Sequence, residues 1–232
     1  MTKDQLNSWR AFYGPRDKAF QEANLSGKEL VRWKFQRYAK NYLRCVRGVD
    51  DSVGKIQDTL KNLKLDDNTV VIYSSDQGFY IGDHGWYDKR WMYEESLMMP
   101  LIVKWPGVTK PDSRSVQMVQ NLDYAQTFLE MAGAEIPSNM QGRSLVPILK
   151  NGKADDWRKS IYYHYYEFPG AHSVRRHYVV RKVNYKVIHF YNLNAWELFD
   201  LQKDPNELNS VYSEADYQGV VKDMKIELNN FR

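Results

Sequence analysis

The spacing of apolar residues predicts two helices in the first third of the chain. Ser26 and Glu29 form a capping-box pattern, and apolar residues recur at helical spacing from there to Val49. A second helical pattern covers residues 50–63. The first 25 residues are broken by Gly14-Pro15, which predicts a loop with short helical pieces.

Two short apolar runs follow these helices and predict strands. Thr69–Tyr73 is unbroken and bounded by turns, a pattern typical of a strand buried on both faces of a parallel sheet. Leu101–Trp105 predicts a second strand. Asn121 is placed to cap a helix over Leu122–Met131.

The pattern changes after about residue 155, where tyrosines and β-branched residues dominate. Residues 161–167, 177–183 and 185–191 predict an antiparallel sheet, and residues 214–228 a final amphipathic helix. The fold class is therefore α/β, with a mixed sheet and flanking helices over residues 1–150. A small α+β subdomain, with the antiparallel sheet and the terminal helix, covers residues 151–232.

Composition narrows the function classes without choosing one. The 232 residues carry 33 Lys and Arg against 29 Asp and Glu, a net charge of +4. Acidic residues interrupt every basic cluster, so we expect no nucleic-acid partner. A single cysteine excludes a disulfide framework and a cysteine-based zinc site. The sequence contains no run of 18 apolar residues, the length that would predict a membrane span.

Candidate chemistry is concentrated between Ser74 and Lys89. Asp76 and Gln77 come directly after the first predicted strand, where ligands bind in open α/β sheets. Their oxygens suit Ca²⁺ or Mg²⁺, while His84 and Lys89 could hold an anionic ester. The alternative is an ordinary turn stabilised by its aspartate, with a histidine at the surface.

Three ordered blocks of sequence resemble the sulfatase family. The first block contains Asp50-Asp51-Ser52-Val53-Gly54, the second runs from Asn68 through Lys89 to Val103, and the third is the closing segment Trp196–Glu207. The resemblance extends from about Arg32 to the end of the chain. It implies a partial alkaline-phosphatase-like fold and the C-terminal half of a bacterial sulfatase acting on sulfated carbohydrate.

The resemblance also implies residue roles. Asp76 would be a Ca²⁺ ligand, and Gln77 occupies a position where many family members have a neighbouring Asn or His ligand. Lys89 would bind the sulfate and neutralise charge on the leaving oxygen, where a fixed cation is most effective. His84 would lie close to the sulfate or to the sugar around it.

The family's nucleophile, a formylglycine made within a Cys/Ser-x-Pro-x-Arg motif, is not encoded in these residues. Cys45 is followed by Val46 and Arg47 and does not fit the motif. We therefore expect the nucleophile to lie outside this chain, which alone would bind Ca²⁺ weakly, hydrolyse no sulfate ester and tend to self-associate. The family resemblance also predicts that the intact parent is periplasmic or secreted, with a signal that this chain lacks.

A polar, aromatic segment near the C-terminus resembles one that contacts sugar in bacterial polysaccharide-type sulfatases. By this resemblance the candidate substrate-binding residues are His164, His172, Arg175, Arg176 and His177. Arginine forks and aromatic rings suit sulfate groups and sugar faces. The alternative is a strand face with a basic surface cluster that binds nothing.

Three functions remain open at this point. A sulfatase of sulfated sugars, of the glycosaminoglycan type and with glucosamine 6-sulfate as one candidate substrate, agrees best with the motifs. A phosphonate or phosphate monoester hydrolase of the same superfamily has a similar metal loop. A non-catalytic carbohydrate-binding fragment is the third.

Overall fold

The computed structural model describes all 232 residues, which form two compact units, Met1–Lys55 and Ile56–Arg232. The predicted boundary between residues 150 and 151 stays a prediction, since this division separates the N-terminal helices from the rest. No helix combines the length and the apolar composition needed to cross a membrane.

The N-terminal helices are longer than predicted. Helix α1 spans Lys3–Glu22 without interruption, so the prediction of a loop broken at Gly14-Pro15 was wrong. A capping box at Thr2 and Gln5 starts it. Helix α2 spans Gly27–Asn62 as one element where two helices were predicted, because nothing at Asp50 interrupts its hydrogen bonding.

The two predicted strands of the α/β part pair with each other. Strand β1 (Val71–Ser74) and strand β2 (Leu101–Lys104) are antiparallel, with Ser74 opposite Leu101. The prediction of a parallel strand buried on both faces was wrong, since the sheet has two strands and Tyr73 is exposed. Three helices accompany them: α3 (Glu94–Leu97), α4 (Tyr124–Met131) and α5 (Val146–Asn151).

The C-terminal sheet is antiparallel, as predicted, and has four strands in sequence order: β3 (Ser160–Tyr165), β4 (His177–Lys182), β5 (Tyr185–Phe190) and β6 (Ala195–Asp200). The final helix, α6 (Gln218–Asn230), is also confirmed. Strand β6 was not predicted, because its residues were interpreted only as part of the family's closing motif.

The two faces of this sheet bury different partners. On one face, Val180, Val187 and Leu198 pack against α6 through Met224 and Leu228. On the other face, the residues that alternate with them pack against the loop that follows β1, including Tyr80, Met92 and Tyr93. This second face of the sheet therefore packs against the candidate loop and supports it.

Candidate active site

The loop that follows β1 turns sharply and crosses close to α3. Gly78 N donates a hydrogen bond to the Ser96 carbonyl oxygen at 2.8 Å. A Cβ atom at Gly78 would come within 1.9 Å of the Glu95 carbonyl oxygen, so this approach requires a glycine. The contact fixes Asp76 and Gln77, directly before it, against the segment that carries Lys89.

Lys89 is held by its backbone, and its ammonium group lies beside Asp76. Its carbonyl oxygen accepts hydrogen bonds from Gln77 Nε2 at 3.0 Å and from Ser96 Oγ at 2.6 Å. Its Nζ lies 3.9 Å from Asp76 Oδ2. The structure thus brings together three of the predicted site residues, and Lys89 and Asp76 keep 38% and 79% of their side chains exposed.

Asn121 is a neighbour of this group that sequence reasoning missed. Its Nδ2 donates to the Asp76 carbonyl oxygen at 2.7 Å, so it braces the loop rather than capping a helix. The N-cap is Gln120, which forms a capping box with Asp123, and Asp123 Oδ2 accepts a hydrogen bond from Gln120 N at 2.8 Å. No sequence signal could have linked Asn121 to a loop 45 residues earlier.

The donor set fits a hard cation only in part. The Asp76 carboxylate and the Gln77 side-chain oxygen are ligands of the kind that Ca²⁺ prefers, but Ca²⁺ takes six to eight oxygens. Nowhere does the chain gather three or more His, Cys, Asp or Glu side chains that could hold a metal. Further ligands would have to come from water, substrate or protein outside these residues.

His84 is mostly buried, and its neighbours are aromatic rings and Glu95. Its side chain is 11% exposed and its ring stacks on Tyr93, with centroids 4.4 Å apart. Its Nε2 lies 3.4 Å from Glu95 Oε2, and both atoms are buried without a hydrogen-bond partner. The backbone of His84 is left-handed, with φ at 53°, which turns the ring inward between Gly82 and Gly85.

His172 is the tail residue that reaches the candidate loop. Its Nδ1 lies 3.7 Å from Asp88 Oδ2, next to Lys89 in sequence. Asp88 also accepts a hydrogen bond from Arg90 at 2.7 Å. The segment between β3 and β4 therefore contributes one exposed, ionisable side chain to the surroundings of Lys89.

The two arginines of the tail shape its loop. Arg176 donates from Nε to the Tyr166 carbonyl oxygen at 2.8 Å and from a terminal nitrogen to that of Phe168 at 3.0 Å. The guanidinium of Arg175 lies 4.4 Å from the centre of the Phe168 ring. Arg176 is thus committed to backbone partners, whereas Arg175 keeps its donors.

The remaining two predicted substrate-binding histidines point to opposite faces of the sheet. His177 is fully buried and stacks on Tyr165, and burial lowers its pKa to about 4. This position does not suit direct contact with a sugar. His164 lies on the α6 face beside Tyr178 and Tyr166, where burial and nearby arginines lower its pKa.

A buried ionic network fixes the segment that follows Lys89. Lys186 is fully buried, and its Nζ lies 2.7 Å from Glu94 Oε1 and 2.8 Å from Glu207 Oε1. Burial opposes ionisation of Glu94, but Lys186 and Arg181 outweigh it and hold the pKa of Glu94 below its usual value. Glu207 lies deeper, and its burial raises its pKa despite the same lysine.

Two family profiles match the chain. One, described as sulfatase, matches residues 2–134, and the other, described as the C-terminal part of N-sulphoglucosamine sulphohydrolase, matches residues 82–232. With these matches, the chain belongs to the sulfatase family. The resemblance inferred from its motifs is thereby confirmed, as is the α/β fold class, since the solved neighbours include sulfatases of the alkaline-phosphatase-like fold.

Two individual relatives are similar to the chain over nearly all of its length. An N-acetylglucosamine-6-O-sulfatase of Bacteroides thetaiotaomicron is 44% identical over 227 residues, which are 97% of this chain and 41% of that protein. A solved protein in complex with its substrate D-glucosamine-2-N,6-O-disulfate matches at 43% identity with a TM-score of 0.90, covering 100% of this chain and 47% of the other. The chain therefore spans less than half the length of these relatives.

A different activity occurs among the more distant neighbours. The phosphonate monoester hydrolase of Agrobacterium radiobacter matches with a TM-score of 0.69 at 26% identity, over 78% of this chain and 38% of that one. The fold is thus shared by hydrolases of sulfate and phosphonate esters, and it does not by itself decide between them.

Proposed function

We propose that this chain supplies one part of the active site of a sulfatase that acts on sulfated glucosamine. The observation that carries the proposal is the pairing of Asp76 and Lys89, two exposed groups held 3.9 Å apart by a loop with buried supports. The similarity to an N-acetylglucosamine-6-O-sulfatase supports the choice of sugar. The formylglycine nucleophile belongs to a motif outside these 232 residues.

Lys89 acts on the sulfate ester in this proposal. Cleavage of the ester develops negative charge on the bridging oxygen, and a preorganised ammonium group stabilises that charge. The hydrogen bonds from Gln77 and Ser96 to the Lys89 carbonyl oxygen fix the backbone from which its side chain extends before substrate arrives. Positioning of this kind avoids reorganisation during the reaction.

Asp76 and Gln77 would hold Ca²⁺, which when bound polarises the sulfate as a Lewis acid. Asn121 supports Asp76 through its backbone, and His172 reaches toward the same loop from the tail. Of the predicted substrate-binding residues, we assign direct contact to His172 and Arg175. His164, Arg176 and His177 are assigned to the framework around them, as is His84.

Binding of glucosamine 6-sulfate tests this proposal. Calorimetry in the presence of Ca²⁺ is expected to detect binding that Lys89→Ala weakens about tenfold, the loss of one charge-assisted contact. Lys222→Ala is the matched control, because Lys222 is exposed on α6 and away from the loop. We expect no turnover by the chain alone.

Two outcomes would contradict the proposal. Equal affinity of Lys89→Ala and Lys222→Ala for the sulfated sugar would remove Lys89 from the site. Preferential binding of glucosamine 6-phosphate would instead favour a phosphate or phosphonate monoester hydrolase, the activity found in a more distant neighbour.

A further inference from the structure

A basic cavity lies between α1 and α2, within the unit Met1–Lys55. Its volume is about 370 Å³, and Arg16 of α1 lines it together with residues of α2. The α2 residues are Trp33, Gln36, Arg37, Lys40, Asn41 and Arg44. The candidate loop around Lys89 contributes nothing to it, so this cavity is a separate feature of the chain.

Four cations converge on the cavity without a carboxylate among its lining residues. Arg37, Lys40 and Arg44 are three and four residues apart, which places them on one side of α2. Neither they nor Arg16 form an ion pair: Arg16 donates to the Phe12 carbonyl oxygen, and Arg44 to Asn41 Oδ1 at 3.0 Å. Like charges at this spacing repel each other, and a bound anion would relieve the repulsion.

The charge is concentrated in this unit of the protein. Residues 1–55 contain 12 Lys and Arg against 6 Asp and Glu, whereas the whole chain has a net charge of only +4. The acidic residues of this segment do not line the cavity. The surplus of positive charge therefore belongs to the helical unit rather than to the loop of Lys89.

The uncharged lining residues suit a sugar. Trp33 is half-buried, with the Phe20 ring 5.2 Å and the Arg37 guanidinium 5.3 Å from the centre of its ring, and its exposed part offers an apolar surface beside the cations. Gln36 and Asn41 add amide groups that can bind hydroxyls. Five of the seven lining residues are exposed and none is buried, so the cavity is open to solvent.

We propose that the cavity between α1 and α2 binds a sulfated oligosaccharide, at a site separate from the Lys89 loop. The arginines and the lysine bind sulfate groups, Trp33 packs against a sugar ring, and the amides contact hydroxyls. This site holds a polyanionic chain and carries out no chemistry. It stands on the cavity and its charges, independently of any sulfatase activity.

Calorimetric titration with a heparin-derived tetrasaccharide tests the site. We expect binding that weakens steeply with salt, because the contacts are ionic. The chemically desulfated tetrasaccharide is expected to bind at least about tenfold more weakly. A single-stranded oligodeoxynucleotide of equal charge is the second comparison, and equal or tighter binding of it would overturn the proposal in favour of a general polyanion surface.

Matched arginine variants locate the binding. Arg37→Gln with Arg44→Gln is expected to weaken tetrasaccharide binding about tenfold or more, the effect of losing charge-assisted contacts. Arg10→Gln with Arg32→Gln removes the same amount of charge, one residue from α1 and one from α2, outside the cavity, and it is expected to change the affinity less than about twofold. Equal losses in the two double variants would overturn the proposal.

Two further variants distinguish this site from the Lys89 loop and from a loss of folding. Lys40→Gln changes one exposed side chain, so we expect it to fold even if the double variant does not. We expect it to weaken tetrasaccharide binding. In a chain that carries Lys89→Ala, we expect Arg37→Gln with Arg44→Gln to weaken tetrasaccharide binding by the same factor. Failure of the sulfatase proposal and failure of this one are therefore distinguishable. Loss of all tetrasaccharide binding in Lys89→Ala would place the ligand at the Lys89 loop and overturn the second site.

Discussion

Single residues decide whether the candidate loop keeps its shape. Asp76, Gln77 and Lys89 could be identified from sequence because they lie within one loop of 14 residues, bounded by recognisable motifs. Their partners could not, since Asn121 and His172 reach the loop only through tertiary folding. The same holds for His84, whose burial among aromatic rings follows from the packing of distant residues.

Gly78 gives the sharpest test of loop geometry. Gly78→Ala would drive a methyl group into the Glu95 carbonyl oxygen, and we expect a loss of about 3 kcal/mol in the free energy of unfolding, measured in urea. Gly54→Ala is the control, because no atom lies within 4 Å of its added Cβ. In the middle of α2 it is expected to stabilise by up to about 1 kcal/mol. Similar behaviour of the two variants would contradict the close approach.

His177 predicts a pH dependence of stability. Burial lowers its pKa from 6.5 to about 4 in the folded chain, so between these values the unfolded state binds more protons. The stability that depends on neutral His177 is fully present above pH 6.5 and is lost as the pH falls toward 4. The free energy of unfolding changes by about 3 kcal/mol over this range. In urea unfolding, His177→Phe should lose less stability over this pH range than the unsubstituted chain.

His172 provides the comparison for that experiment. It is exposed, so His172→Gln is the control for replacing a histidine outside the core. A pH profile of His177→Phe that is indistinguishable from that of His172→Gln would show that His177 is not held neutral by burial.

At the scale of elements, regular patterns were predictable and their connections were not. Strands β3, β4 and β5 and helix α6 follow from alternating and helical spacing, and each forms close to its predicted place. Helix α1 continues through Pro15 and helix α2 through Asp50, which local propensity alone argues against. Antiparallel pairing of β1 with β2 joins segments that are distant in sequence, and an apolar run does not encode it.

The buried network around Lys186 links elements that are distant in sequence. Lys186→Met would leave Glu94 and Glu207 buried without their cation, and we expect it to cost about 3–5 kcal/mol of unfolding free energy. Lys182→Met removes a lysine from a partly exposed pair with Glu227 and should cost less than about 1 kcal/mol. Equal costs in chemical denaturation would mean that the network adds no more than a surface ion pair.

At the scale of the whole molecule, the N-terminal helices leave apolar surface uncovered. Helices α1 and α2 contain no buried residue. Val31, Phe35, Val46 and Val49 recur at helical spacing along one side of α2 and are 39–65% exposed. An exposed apolar stripe of this length is typical of a surface that packs against protein. The expectation of self-association thus has its best physical support in α2.

Sedimentation velocity over a range of concentrations tests self-association. We expect the sedimentation coefficient to rise with concentration, because burying the stripe between copies removes apolar area from water. Val46→Lys with Val49→Lys places charges in the stripe and should give a monomer. Leu208→Lys, at an isolated exposed leucine outside these helices, should still associate. If the unsubstituted chain stays monomeric at every concentration, the exposed apolar residues of α2 do not drive contact between copies.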